Sequence, residues 1–244
     1  MIEVKNLTIH VWEKEILHDV TLNFEPGKNY LILWKNGSGK SSLANFLMGN
    51  PLYQHISWEV SMEEKNLIEM EVFERAKAGL FLSFQNVPEI PGIQLWEYLR
   101  IIYNNFLVSH SPETKPLSPF VFKRFLSKYL QELEIDETFL SRELNVWFSG
   151  GEIRKIELLQ AKLLEPKYII LDEIDSGLDV NAFQIVAEQI KKFDGPENSL
   201  IVITHHFKIL DFVNFDRVYI LKHGTLEKSW GQELVAEIIK DGFA

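Results

Sequence analysis

The stretch with the clearest chemical pattern is WKNGSGKSS, residues 34–42, which follows an apolar run and precedes a helical pattern. A glycine-rich loop between a strand and a helix directs backbone N–H groups and the positive end of the helix toward an anion. Lys40 can reach the outer phosphates of a nucleotide, and Ser41 can bind Mg²⁺. The residues expected to bind nucleotide here are Asn36, Gly37, Ser38, Gly39, Lys40, Ser41 and Ser42.

A second pattern, KYIILDE at residues 167–173, is an apolar run that ends in two acids. A carboxylate at the end of a strand beside a phosphate-binding loop is placed to hold Mg²⁺, and Asp172 fits that role. Glu173 can then orient or deprotonate an attacking water. The alternative is a strand that ends in a solvated acidic turn. Because the pattern follows a phosphate-binding loop, we favour the metal-binding interpretation.

The third pattern is FSGGE, residues 148–152, directly before the helical pattern IRKIELLQAKLL. Ser149 and Glu152 have the spacing of a capping box, and Gly150 and Gly151 open the helix. Such a helix tip is a second anion site. One chain has no evident use for two sites for the same phosphate, so we expect two chains to supply this tip to each other's nucleotide. A capped helix start without a ligand is the alternative.

Size and composition limit the classes of protein that fit. The chain has 244 residues, 46% of them hydrophobic, which is enough for one domain with a sizeable insertion. A net charge of −10 makes it a poor general binder of nucleic acid. Without cysteine it has neither disulfides nor thiolate ligands for zinc or an iron–sulfur cluster. There is no signal-peptide pattern and no long apolar run, so we expect a cytoplasmic protein without a membrane span.

The elements that must position these residues follow from hydrophobic periodicity. Strands are predicted for IEVKNLTIHV, ILHDVTLNF, NYLILW, a pair within residues 56–72, GLFLSFQ, KYIILDE, SLIVIT and the pair RVYILKHGTLEK. Helices are predicted over residues 41–48, 74–78, 94–108, 118–134, 153–164, 180–193, 206–212 and 232–240, with PEIPG as a loop. The alternation of strands and helices predicts an α/β fold with a parallel sheet and helices on both faces.

The motif order GSGKS, Gln85, FSGGE, IILDE, SGLD and THH resembles an ATP-binding cassette (ABC) ATPase along essentially the whole chain. The resemblance implies a P-loop NTPase fold in a single ABC ATPase domain, residues 1–244. Its nucleotide-binding core is expected to comprise residues 1–87 and 160–244, with an N-terminal antiparallel β subdomain. Residues 88–159 are expected to form an inserted helical subdomain that carries the FSGGE motif.

The resemblance also implies hydrolysis of ATP with Mg²⁺ and assigns further roles. Gln85 would sense Mg²⁺ and couple to the helical subdomain, Asp179 would lie across a dimer seam, and His205 would contact the γ-phosphate. The expected catalytic residues are Lys40, Glu173 and His205, and the expected metal ligands are Ser41, Gln85 and Asp172. The expected nucleotide contacts outside the loop are Gln85, Ser149, Gly150, Gly151 and Asp179. His206 has no such match and is expected at the surface.

Three longer stretches are similar to one branch of this family. FQNVPEIPGIQ, DEIDSGLDVNA and KSWGQELVAEIIKDGF resemble SufC-type ATPases of the SUF iron–sulfur cluster assembly system. This implies SufB- and SufD-like scaffold proteins as partners, with a transient homodimer of the ATPase. A chain without cysteine suits a cluster held by the partners. The ATP-binding subunit of an ABC transporter is the alternative.

The six tryptophans are the unusual feature of the sequence. Trp34 stands where the phosphate-binding template has its first glycine, and the SufC-like pattern leads us to expect glycine also at Trp12, Trp58, Trp96, Trp147 and Trp230. With 13 glycines the chain is below the usual share of roughly 7%. We hypothesise that these codons are UGA, which one genetic code translates as glycine and another as tryptophan. The alternatives are a degenerate cassette that no longer hydrolyses ATP, and a genuine Trp12 that stacks on adenine.

Overall fold

The computed structural model describes residues 1–33, 35–56, 59–205 and 207–230. They form two compact units. The first comprises residues 1–85, residues 166–175 and the described residues after 189, and the second comprises residues 86–165 and 176–189. The expected subdomain boundaries at residues 88 and 159 stay a prediction.

The first unit contains an antiparallel sheet built mainly from the N-terminal segment. Its strands are β1 (Ile2–Val11), β2 (Lys14–Phe24), β4 (Gln54–Ile56), β5 (Glu59–Met62) and β6 (Lys65–Asn66). They pair in the order β2-β1-β5-β6, with β4 also beside β1. Buried and less buried side chains largely alternate along β1, as expected for a sheet with one face on a core.

The first unit also contains a six-stranded sheet. Its strands are β3 (Tyr30–Leu33), β7 (Leu80–Ser83), β10 (Tyr168–Asp172), β11 (Ser199–Thr204), β12 (Arg217–Lys222) and β13 (Thr225–Trp230). The order is β13-β12-β3-β11-β10-β7, and all neighbours are parallel except β12 and β13. Every residue of β3, β10 and β11 is buried. Their continuous apolar runs are typical of strands covered on both faces.

Two helices of the first unit pack against each other and against β7. Helix α1 (Lys40–Met48) ends at Gly49, whose φ of 90° suits glycine. Helix α2 (Val72–Lys77) carries the buried Arg75. The Arg75 Nη1 donates to the carbonyl oxygens of Phe46 at 2.8 Å and Leu47 at 2.9 Å. A buried cation therefore satisfies the carbonyls at the negative end of α1 and fixes that helix to α2.

The second unit is mainly helical. Its helices are α3 (Leu95–His110), α4 (Pro119–Glu132), α5 (Gly150–Leu164) and most of α6 (Val180–Lys191), and its two strands are β8 (Ile90–Gln94) and β9 (Glu143–Leu144). Residues Leu95, Leu99, Phe122, Leu126, Leu130, Ile156 and Leu159 are buried. The Asn104 side chain donates to the Leu117 carbonyl and accepts from the Leu117 amide, which ties the connection between α3 and α4 to α3.

Several predicted elements differ from the structure. The sequence predicts a loop at PEIPG, but residues 90–94 form strand β8, which pairs with β9. The helix expected near residues 206–212 is a 3₁₀ turn over Lys208–Asp211. Helix α5 begins at Gly150 rather than 153, because Ser149 caps it. The predicted helix at 232–240 lies outside the described residues. Within the described part of the chain, each helix is too short or too polar to cross a bilayer.

Candidate functional site

Four neighbouring parallel strands end at the same edge of the six-stranded sheet. The loop of residues 35–39 follows β3, Gln85 follows β7, Glu173 follows β10, and His205 follows β11. The pairing of Thr204 with Leu33 and of Asp172 with Ile203 sets these strand ends side by side. The carboxyl edge of a parallel sheet is the usual place for a ligand site. Residues from distant parts of the sequence therefore meet here.

The glycine-rich loop is shaped by close packing behind it. Gly39 has a φ of 100°, and a Cβ on it would lie 2.4 Å from Leu17 Cδ2. Gly37 has a φ of 80°, but the space around it is open. The Gly224 amide, in the turn between β12 and β13, donates to the Ser38 carbonyl at 3.2 Å. The loop therefore rests on β2 and on the β12–β13 turn.

Lys40, the first residue of α1, is buried. Its Nζ donates to the Lys35 carbonyl at 3.1 Å and lies 3.4 Å from Ser38 Oγ. Burial lowers the pKa of Lys40 below the ordinary value of a lysine, and the negative charges of Glu173 and Asp172 oppose that shift. The ammonium group is thus held across the loop where an anion bound by the backbone amides would meet it.

Ser41 and Asp172 bring two oxygen ligands together. The Ser41 hydroxyl donates to Asp172 Oδ1 at 3.0 Å, and Asp172 is 1% exposed at the end of β10. Hydroxyl and carboxylate oxygens are the ligands that Mg²⁺ prefers, and protein sites often supply only one or two of them beside substrate phosphates. These two residues therefore fit the metal-binding role expected from the sequence.

Glu173 occupies the centre of the constellation. It is buried, and its φ of 50° turns the chain sharply after β10. The Gln85 amide Nε2 donates to Glu173 Oε2 at 2.7 Å, and His205 Nδ1 lies 3.2 Å from Glu173 Oε1. Each carboxylate oxygen is thus engaged by a different loop. Left-handed backbone at a non-glycine residue stores strain and is common at functional sites.

One contact was not foreseen from the sequence. The Thr204 hydroxyl donates to Asp175 Oδ2 at 2.7 Å and links the end of β11 to the loop after β10. Both residues lie inside stretches named above, Thr204 in THH and Asp175 in DEIDSGLDVNA. The spacing along the chain gave no reason to pair them, because the contact depends on the strand order.

The FSGGE motif lies in the second unit and forms the capped start of α5. The Ser149 hydroxyl accepts from the Glu152 amide at 3.4 Å, and the Glu152 carboxylate accepts from the Ser149 amide at 2.6 Å. The capping box expected from the sequence is confirmed. A Cβ on Gly150 would lie 3.8 Å from the Gly177 carbonyl oxygen, and a Cβ on Gly151 would lie 3.0 Å from the Ala182 Cβ.

The segment of residues 176–182 therefore packs against the tip of α5 within the second unit. Asp179 caps the start of α6, since its Oδ1 accepts from the Ala182 amide at 2.8 Å. Val180, the next residue, is 81% exposed. The residues expected at a dimer seam are Asp179 and the tip of α5 that begins at Ser149. They therefore belong to one packed and partly apolar patch.

The remaining predicted site residues have plainer surroundings. Asn36 is exposed in the glycine-rich loop, and Ser42 is half-buried in the first turn of α1. Trp34 and His206 lie outside the described residues.

The turn between β1 and β2 borders an open groove of about 720 Å³, which is lined by Val11, Trp12, Glu13, Lys14 and Ile16.

Comparison with known proteins gives one consistent family. The family model described as "ABC transporter" matches residues 17–176. The chain is 40% identical over 243 residues to "Probable ATP-dependent transporter ycf16" of Cyanophora paradoxa, covering 100% of this chain and 93% of that protein. It is 36% identical to "Vegetative protein 296" of Bacillus subtilis, covering 98% of this chain and 90% of that one.

Solved structures give the same fold. A dimeric ATP-binding cassette in a post-hydrolysis state, bound to ADP and Pi, superposes with a TM-score of 0.77 at 22% identity, over 95% of this chain and 98% of that one. An ATP-binding subunit of an ABC transporter superposes with a TM-score of 0.77 at 23% identity, over 100% and 95%. The predicted fold class is therefore confirmed.

The two glycines of the loop provide a first test. We expect Gly39→Ala to destabilise the chain by about 3 kcal/mol or more, because left-handed strain adds to a clash with the buried Leu17. Gly37→Ala is the matched control. It has the same sign of φ but open space, so it should cost only about 1 kcal/mol. Urea unfolding measures both, and equal losses would show that the packing behind Gly39 does not shape the loop.

Proposed function

This chain belongs to the ABC transporter family of ATP hydrolases, and we propose that it is the SufC-like ATPase subunit of the SUF iron–sulfur cluster assembly machinery. In this proposal two copies close around ATP, hydrolyse it, and thereby remodel a bound SufB- or SufD-like scaffold in the cytoplasm. The observation that carries the catalytic part is the engagement of both Glu173 carboxylate oxygens, by Gln85 at 2.7 Å and by His205 at 3.2 Å.

The nucleotide would bind to the glycine-rich loop. Backbone amides of Gly37–Lys40 and the N-terminus of α1 would surround the phosphates, and Lys40 would contact the β- and γ-phosphates. The groove beside the β1–β2 turn, which includes Ile16, adjoins Gly39 and would accommodate the base. Ser41, Asp172 and the Gln85 amide oxygen would hold Mg²⁺. When bound, this ion would neutralise part of the phosphate charge.

Hydrolysis would proceed by in-line attack of water on the γ-phosphorus. The new P–O bond forms as the bond to the β–γ bridging oxygen breaks, which yields ADP and inorganic phosphate. Glu173 would orient this water and accept its proton, and His205 would hold the carboxylate and contact the γ-phosphate. Since Gln85 also holds Glu173, a shift of the segment that contains Gln85 would change the geometry of the attacking water.

The homodimer would complete each site. Ser149, Gly150 and Gly151 of one copy would meet the γ-phosphate held by the loop of the other, and Asp179 would lie along the seam. The patch around Ser149 supports this assignment, because two glycines, a helix N-terminus and the 81% exposed Val180 occur together there. Closed two-fold dimers of this kind bury such patches symmetrically.

The assignment to SUF rests on sequence similarity to SufC-type chains in FQNVPEIPGIQ and DEIDSGLDVNA and in the C-terminal stretch, whose last residues lie outside the described part. The relative from Cyanophora paradoxa carries the name of an ATP-dependent transporter. A role as the ATP-binding subunit of a transporter is therefore the second candidate. A third candidate, a cassette that binds but does not hydrolyse ATP, depends on a genuine Trp34.

Position 34 separates the third candidate from the other two. We expect the chain with Trp34→Gly to hydrolyse ATP at least roughly 100-fold faster than the chain with Trp34, because an indole at the start of the loop obstructs phosphate binding. Phosphate release measures the rate. The double variant Trp34→Gly/Lys40→Ala is the control for contaminating activity. An equal and normal rate in both forms would refute the steric argument and the non-hydrolysing candidate together.

Mixing two inactive variants tests the shared site. Both substitutions are made in whichever chain hydrolyses ATP faster, the one with Trp34 or the one with Trp34→Gly. There, Glu173→Gln and Ser149→Arg should each lower the rate of hydrolysis by roughly 100-fold or more. Mixed in equal amounts they should recover roughly a quarter of the parent rate, because half of the dimers then contain one intact site of two. The double variant mixed with the parent chain serves as the control for subunit exchange. No recovery in the mixture of single variants, despite exchange, would mean that one chain forms its own site.

Partners separate the SUF assignment from the transporter assignment. We expect the neighbouring genes to encode SufB-, SufD- or cysteine-desulfurase-like proteins, and the tagged chain to co-purify with the scaffold on co-expression. The scaffold complex should hydrolyse ATP faster than the isolated chain, since the partner would stabilise the closed dimer. Co-purification with a membrane permease encoded beside this gene, and not with the scaffold, would assign the chain to transport instead.

A further inference from the structure

The tryptophans whose burial the structure describes do not behave as core residues. None of the three whose burial the structure describes is buried: Trp12 is 80% exposed, Trp147 is 86% exposed, and Trp96 is half-buried. The fully buried aromatic side chains include Tyr30, Tyr168, Tyr219, Phe24 and Phe122 instead. Tryptophan is among the most buried side chains on average, because its large apolar surface gains much from burial. Positions 12 and 147 receive almost none of that gain.

The backbone at the same two positions is left-handed. The φ angle is 57° at Trp12 and 58° at Trp147. Every other non-glycine residue with a positive φ in the described part of the chain is Asn, Asp, Glu or His. Asn and Asp can bond to the local backbone in this conformation, whereas for a bulky side chain it is a steric outlier. Glycine adopts it without a steric cost.

The two positions also lie in turns next to candidate site residues. Residue 12 is in the tight connection between β1 and β2 and lines the groove next to the glycine-rich loop. Residue 147 is two residues before the Ser149 cap, and the Arg142 guanidinium donates to its carbonyl at 2.6 Å. That contact uses only the backbone and needs no indole. Trp96 differs, because its Nε1 donates to Gln94 and Lys123 lies over its ring.

We propose that positions 12 and 147 are glycine in the protein that the native cell makes, and that their codons are UGA. At these two positions the positive φ and the exposed indole together support the proposal. The same codon would then account for Trp34, where the phosphate-binding template has glycine. This proposal is independent of the partner and of the pathway, so it stands or fails separately from the SUF assignment.

Unfolding measurements test the conformational argument. We expect Trp12→Gly and Trp147→Gly each to raise Tm by about 2–4 °C, because strain is removed and little buried surface is lost. Phe120→Gly is the matched control: Phe120 is 79% exposed but lies in α4, so glycine there should lower Tm. A lower Tm for both Trp12→Gly and Trp147→Gly would overturn the proposal that the fold requires glycine there.

The decisive experiment is peptide mass spectrometry on the chain purified from its own organism, with the gene sequenced beside it. Glycine masses at 12 and 147 with UGA codons would establish the proposal. A tryptophan mass at either position, or a UGG codon there, would overturn it whatever the stability measurements give. Both readouts are independent of ATP hydrolysis, so an inactive chain would not obscure the result.

Discussion

The parallel pairing of β3, β11, β10 and β7 is the constraint on which the site depends. Each strand is short and nearly continuous in apolar residues, and the hydrogen-bond ladders align their carboxyl ends. A slip of the β10–β11 register by two residues would displace Asp172 and Glu173 by roughly 6–7 Å, the rise of two strand residues. The geometry of the candidate site therefore depends on backbone register in a buried sheet, where slippage would also expose the core.

The Glu173 carboxylate links the ends of three neighbouring strands at this sheet edge. A buried carboxylate is costly unless it is hydrogen-bonded, and its partners come from the ends of β7 and β11. Any displacement of Gln85 must then either move the carboxylate or leave it less well satisfied. Residue 86 begins the second unit, so Gln85 lies at one of the points where the chain passes between the two units. Under the proposed function, this junction is how a partner bound to the second unit would adjust hydrolysis.

The sequence predicted what depends on local pattern. The two N-terminal strands, α1 with its Gly49 cap, and the Ser149 capping box follow from periodicity and turn chemistry within a few residues. Strand β8 was missed because Pro91 and Gly92 oppose a strand locally, and only pairing with β9 supports it. The bonds from Gln85 and His205 to Glu173 could be anticipated from family resemblance but not from spacing, since they depend on strand order.

Most levels of this sequence agree with one another. Apolar runs form buried strands, caps begin the helices that they should begin, and Gly39 and Gly224 occur where a Cβ would collide with a neighbour. Such agreement is what a foldable sequence requires. Trp12 and Trp147 depart from this agreement in two ways, because each has a left-handed φ and an exposed indole. Functional strain of the kind seen at Glu173 comes with compensating contacts, whereas the 80% and 86% exposed indoles gain little packing in return. We therefore attribute the conflict at these two positions to the translation of the gene rather than to strain in the native fold.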